Sequence, residues 1–433
     1  MRSGSGFAGA GLVLLLAAPL GAQKPVITLE EAVRRAELVQ PSVVQARGGI
    51  TTADARRRTS FGAFLPSLTV SSSVSDVYRE REGLDPNTNQ VITSGTTNRS
   101  VNTSINSSID LFAGFRRTSE RRAANANRDA AVANLEESRF QQQLVTTNQF
   151  FDVLSAAELV RVREAGVRRA EQQLEVSVSR LRAGAAIRPD SLRSVVTLGT
   201  ARLALLTAQT QLATAEANLG RLVGWEGPVG AVDDSTLYRV LETVDTAALR
   251  SEAMASSPAV RAAEAQAVAA RSAIGVAKAA WFPTLALSGS AQLSGDRTND
   301  YTFLQTRQVS LGLNWPIFNR FQREQNIAQS QVSAENAQAT AAESRRRIQA
   351  DLTSALAALE SARLRIGITQ TSVVAAQEDL RVQQERYRLG AATIVDILTS
   401  QEALSQAEVD AVNARFDYLR ARTQISALIG RPL

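Results

Sequence analysis

Two aspartates in this chain stand where a carboxylate can do electrostatic work. Asp190 and Asp396 lie 206 residues apart, and each follows a glycine turn. The first turn reads Leu181-Arg-Ala-Gly-Ala-Ala-Ile-Arg-Pro-Asp-Ser-Leu192, the second Tyr387-Arg-Leu-Gly-Ala-Ala-Thr-Ile-Val-Asp-Ile-Leu398. A carboxylate just past a turn and just inside a helix caps that helix and suits its dipole. When several copies converge on a narrow mouth, they also repel one another and attract cations. Catalysis is a poor fit. The chain has no histidine and no cysteine, which removes the commonest general base, the commonest metal ligand and thiol chemistry. Lys24 and Lys278 are its only lysines, and neither ends a Gly-x-x-x-x-Gly pattern, so there is no P-loop. No catalytic, cofactor-binding or metal-ligating residue is assigned, and the chain is read as a non-enzyme.

The turns belong to a larger duplication. Leu222-Val-Gly224 and Leu428-Ile-Gly430 keep the same offset of 206, whereas Gln40-Pro-Ser-Val43 and Ser257-Pro-Ala-Val260 are 217 apart, as are the prolines of Phe64-Leu-Pro-Ser-Leu68 and Trp281-Phe-Pro-Thr-Leu285. One unit of about 200 residues is present twice, with an 11-residue length change between Pro66 and Phe112. The division expected is a signal peptide at 1–22, a first repeat at 23–223, a linker or equatorial segment at 224–245 and a second repeat at 246–433. Arg2 followed by an apolar run from Ala8 to Leu20 carries the export signal. The formal charge of +6 rests almost wholly on arginines set beside Asp and Glu, a pattern of solvated helix faces rather than a nucleic-acid footprint.

Each repeat must hold its turn at the end of long helices. Residues 29–62 read as one helix opened by Thr28 and Glu31. Phe115–Arg182 and Arg320–Arg388 are proline-free and rich in Ala, Gln, Glu and Arg, which predicts helices of about 100 Å each. Between helices the period drops to two. Leu68, Val70 and Val74 alternate with Thr69, Ser71, Ser73 and Ser75, and Val101, Thr103, Ile105 and Ile109 alternate with Asn102, Ser104, Asn106 and Ser108. A polar loop is expected over Arg79–Thr97. The hairpins are placed at about 66–111 and about 284–316.

A small-polar face opposite an apolar one is the pattern of a strand between a watery lumen and lipid. Phe64, Phe112, Phe282, Trp315 and Phe318 mark the helix–strand junctions, and Tyr78 and Tyr301 the loop ends, as membrane-interface girdles would require. Four strands cannot close a pore, and an open edge is not tolerated in lipid, so three subunits giving twelve strands are expected. The fold class expected is therefore an internally duplicated α+β membrane protein, a trimeric β-barrel continued by an α-helical barrel. The helices alone also suit an exported structural or adhesive coiled coil without a pore. A periplasmic adaptor is disfavoured, because no Gly- and Val-rich β domains flank a single helical hairpin.

Over essentially its whole mature length the chain resembles the TolC-type outer-membrane efflux proteins. The duplicated helix–hairpin–helix unit, Pro66 and Pro283, and above all the Tyr387–Leu398 turn carry the resemblance. It implies a passive trimeric exit duct for a tripartite efflux or type I secretion system in a Gram-negative outer membrane. A periplasmic adaptor would dock at the tips (Gly184, Gly390, Leu181, Leu389), and an inner-membrane RND or ABC transporter would supply the energy, with no cofactor and no nucleic acid. It also implies a periplasmic gate. Asp396 matches the first aspartate of the constriction, Thr399 stands where a second would be, and Asp190 and Tyr387 match members of the network that holds the entrance shut. The arginine of that network falls on Ala392, with Arg188 close by in sequence as a substitute.

Overall fold

The computed structural model describes residues 24–84, 91–234, 238, 245–296, 300 and 302–431. The expected signal at 1–22 and Tyr301 lie outside the described residues. The first copy runs β1 (Val26–Ile27), α1 (Leu29–Val39), α2 (Pro41–Gly62), β2 (Ser67–Leu84), β3 (Val91–Ala113), α3 (Arg116–Arg182) and α4 (Arg188–Val223). After β4 (Gly230–Ala231), which pairs in parallel with β1, the second copy runs α5 (Thr246–Ser256), α6 (Pro258–Lys278), β5 (Thr284–Asp296), β6 (Leu304–Asn314), α7 (Gln322–Arg388) and α8 (Ile394–Ile429).

The helix expected over 29–62 is two helices. Gln40 leaves the helical region, with φ −70° and ψ 130°, because the following proline crowds a helical residue before it. Pro41 then opens the next helix, where its missing N–H costs nothing. Ser257 and Pro258 make the same break in the second copy. Each break receives the end of a neighbouring helix. Gln40 Nε2 donates to the Leu222 carbonyl at 2.6 Å, and Ser256 Oγ donates to the Ile429 carbonyl at 3.0 Å. In this way α2 and α4 lie end to end along α3, and α6 and α8 along α7. Each of α3 and α7 has 67 residues, about 100 Å of helix. The main core sits at mid-length, where Phe150, Val153, Leu219, Leu352, Phe416 and Ile425 are almost fully buried. Burying an aromatic or aliphatic side chain of this kind contributes about 1.5–3 kcal/mol.

The sheet is antiparallel in the order β2-β3-β5-β6, so the β3–β5 pairing joins the two copies. The loop expected over 79–97 is mostly strand. The ladder runs unbroken from Ser67↔Ser108 to Leu84↔Val91. Strand pairing satisfies backbone groups whatever the side chains, so a charged, polar stretch in water is no obstacle to it. The 11-residue insertion lengthens the first hairpin: β2 and β3 have 18 and 23 residues, β5 and β6 have 13 and 11.

Candidate functional site

The two tip turns are closed by the same bonds. Gly184 (φ +71°) and Gly390 (φ +77°) occupy the left-handed region that ends a helix. Gly184 N–H donates to Leu181 and Ala185 N–H to Arg180; Gly390 N–H donates to Tyr387 and Ala391 N–H to Arg386. Leu389 is left 75% exposed at the second tip.

Asp396 lies three residues into α8 and forms a reciprocal cap with Thr393. Its Oδ2 accepts from Thr393 N–H at 2.7 Å and from Thr393 Oγ1 at 2.8 Å, and Asp396 N–H donates back to Thr393 Oγ1 at 3.4 Å. The backbone bond, then the side-chain bond, holds the Asp396 carboxyl below the usual aspartate value. The carboxylate is exposed, so capping α8 leaves it open to solvent. Thr399 is also exposed, and among the described residues its side chain makes no hydrogen bond. Asp190 sits in the first turn of α4, half-buried, 3.7 Å from Arg193.

Tyr387 is only 6% exposed, packed with Leu380, Ile394, Ile397 and Leu404. Within one chain neither Asp190 nor Arg188 bonds to it. Arg180 does, from the end of α3: its guanidinium stacks 4.3 Å from the ring centre and donates to the Tyr387 carbonyl. The Tyr387 hydroxyl is buried with no partner among the described residues. A cavity of about 590 Å³ opens beside the pair, between α3, α7 and α8. Farther up, Arg169 reaches Glu408 on α8 through two bonds of 3.1 and 2.6 Å. Sequence reasoning missed Arg180 and Thr393. Thr393, three residues before Asp396, carried a capping-box signal; Arg180, 207 residues from its partner, carried none.

At the other end the sheet separates its chemistry by face. Ser67, Ser71, Ser75 and Ser288 hydrogen-bond across strands to Ser108, Ser104, Ser100 and Ser310 at 2.7–2.9 Å. Leu68, Val70, Val74, Leu311 and Leu313 stand exposed on the opposite face. A bulge between Asp110 and Phe112 shifts the register, so Phe112 pairs with Leu285 and joins the apolar face that strict alternation denies it. Phe115 links Phe112 and Phe282 edge to face at 5.5 and 5.6 Å. The Phe64 ring carries Arg117 at 5.0 Å, Trp315 Nε1 donates to the Trp281 carbonyl at 3.2 Å, and Phe318 meets Phe321 at 5.4 Å. Tyr78 stands near the far end of β2 with its ring over Gly95. Among the described residues no helix is long and apolar enough to cross a membrane, and no cluster of His, Cys, Asp or Glu could hold a metal.

The family model described as outer membrane efflux protein matches residues 32–225 and 249–431, one stretch per copy. The chain belongs to the outer membrane efflux protein family. It is 26% identical to the outer membrane efflux protein BepC of Brucella suis over 408 residues, covering 92% of this chain and 86% of that protein. It is 22% identical to the outer membrane protein TolC of Escherichia coli over 419 residues, covering 93% of this chain and 82% of that one. The CmeC outer membrane channel of Campylobacter jejuni superposes with a TM-score of 0.78 at 17% identity, over 93% of this chain and 85% of that channel. This efflux protein is thus a TolC-type channel of the outer membrane and not an enzyme. Its long helices share the fold of the solved outer-membrane channels, and its membership of the efflux family sets aside the free-standing coiled coil.

Proposed function

We propose that three copies of this chain close a twelve-stranded barrel and serve as the passive exit duct of a tripartite efflux or type I secretion system. The observation that carries this is the sheet: four strands, apolar on one face, hydroxyl-lined on the other, with β2 and β6 at its edges. An open edge in hydrocarbon leaves backbone groups unpaired, each costing several kcal/mol, and pairing β2 of one copy with β6 of the next removes every edge. At 45° of tilt the 13 residues of β5 rise about 30 Å, the thickness of the hydrocarbon core. Phe64, Phe112, Phe282, Trp315 and Phe318 would lie at one interface and Tyr78 toward the other. The helical pairs continue as a tube ending in the glycine turns, where a periplasmic adaptor docks and an inner-membrane RND or ABC transporter supplies the energy. Three copies of Asp396 ring the mouth and favour cations. The domain division is two repeats, 23–223 and 246–433, about a short equatorial segment.

Light scattering on the detergent-extracted protein, with outer-membrane fractionation beside it, tests the assembly. A heat-modifiable species of about three chain masses is expected. A monomer or dimer would leave the sheet open and overturn the proposal.

A further inference from the structure

The duplication supplies an internal control for the tips, and the two tips are not equivalent. In the second, Arg388 is paired with Glu385 at 3.0 Å, Ile394 is buried, and Thr393 caps its helix through Asp396. Each counterpart in the first tip, 206 residues earlier, lacks that satisfaction. Arg182 matches Arg388, but Ser179 stands where Glu385 would pair with it. Arg188 matches Ile394 and puts a cation on the first turn of α4, where the helix dipole disfavours one. Ile187 matches Thr393, offers no side-chain cap and is 63% exposed. Among the described residues the guanidinium groups of Arg182 and Arg188 make no ion pair or hydrogen bond. Asp190, in the same first turn of α4, faces Arg193 at 3.7 Å instead. An aliphatic side chain is therefore held out between two cations that, unlike Arg388 of the second tip, are paired with no acid on their own helix.

We infer that the first tip, and not the second, is the acid-recognising half of the docking surface. Its partner segment carries carboxylates for Arg182 and Arg188 beside an apolar groove for Ile187. This rests on the docking role proposed above and adds the partner's chemistry to it. Electrostatic complementarity of this kind sets orientation and partner choice, and it makes docking salt-sensitive.

The test places a photo-crosslinking benzoylphenylalanine at position 187 or, separately, at 389 in the full chain in its outer membrane, and identifies the joined peptide by mass spectrometry. At 187 the expected peptide comes from the periplasmic partner and has Asp or Glu within a few residues of the crosslink. Its yield should fall at least about fivefold in the Arg182→Glu/Arg188→Glu chain and be kept in the Arg182→Lys/Arg188→Lys chain, at equal levels of membrane-inserted protein. A joined peptide without nearby acids, a yield indifferent to charge reversal, or a crosslink at 187 to another copy of this chain would each overturn the inference. A crosslink at 389 with none at 187 would overturn it while leaving the docking role intact. Silence at both positions would sink the docking role as well.

Discussion

The Arg180 guanidinium lies 4.3 Å from the centre of the Tyr387 ring and donates to that residue's carbonyl oxygen, so the tip of the first helical hairpin is tied to the tip of the second. A cation over an aromatic face and one charged hydrogen bond together contribute about 1–2 kcal/mol. If the tube is closed by keeping these hairpins together, loss of the tie favours opening. Arg180→Ala should raise the open fraction about tenfold in planar-bilayer recordings. Unchanged conductance would remove Arg180 from the gate.

The same residue gives a contrasting expectation. The Tyr387 hydroxyl is buried and has no partner among the described residues, so Tyr387→Phe removes a group that gains nothing there. Conductance and thermal stability should match the parent's. An open channel in the Phe variant would instead assign the hydroxyl a partner in the neighbouring copy, such as Asp190.

Asp396 should stay ionised throughout the physiological range. Its bonds to Thr393 hold the carboxyl below the usual value, so the stability it gives to the start of α8 is present above the unfolded pKa and is lost as pH falls through the lower, folded one. Cation preference measured by reversal potential should therefore be flat from about pH 8 to 5 and fall only below about pH 4. Asp396→Asn should weaken it at every pH above that transition, and Thr393→Ala should move the acid transition upward. A parent channel that loses its preference near pH 6 would contradict this account.

Backbone strain offers another check. Gly114-Phe115 and Arg320-Phe321 enter α3 and α7 with both residues at positive φ, near +60°. Arg320 bears a side chain where glycine would be at ease, so Arg320→Gly should raise the stability of the membrane-extracted protein by about 0.5–1 kcal/mol. Gly114→Ala should destabilise it, since a Cβ there would meet the Ala279 carbonyl oxygen at 2.6 Å. Urea or thermal unfolding of the extracted protein reads both.

Much of this architecture is legible in the sequence because it is carried by period and repetition. The 206-residue offset, the proline-free helical runs and the two-residue alternation of Leu68 to Ser75 all survive in the structure. What escapes has a common cause. The strand stretches at 79–84 and 91–97 are held by backbone pairing that no side-chain pattern reports. The break before Pro41 is hidden because proline also begins helices well. The bulge that turns Phe112 onto the apolar face is a single unpaired residue. The Arg180–Tyr387 contact joins positions brought together only by packing of the two copies.

The last prediction concerns which sheet face meets lipid. Ser72 and Thr103 share the face of Leu68, Val70 and Val74, and their hydroxyls satisfy each other at 3.0 Å. In water either hydroxyl could be removed cheaply. In hydrocarbon, Ser72→Ala alone strands the Thr103 hydroxyl and should cost about 1 kcal/mol, whereas the Ser72→Val/Thr103→Val pair should be neutral or stabilising because no polar group remains. The matching pair on the other face, Ser71→Val/Ser104→Val, removes hydroxyls that face water in the lumen and should bring no such gain. A double-mutant cycle on bilayer-reconstituted protein measures the coupling. If the Ser71 and Ser104 pair behaved as lipid-facing and the Ser72 and Thr103 pair did not, the sheet would be inside out relative to this account, and the proposed lumen with it.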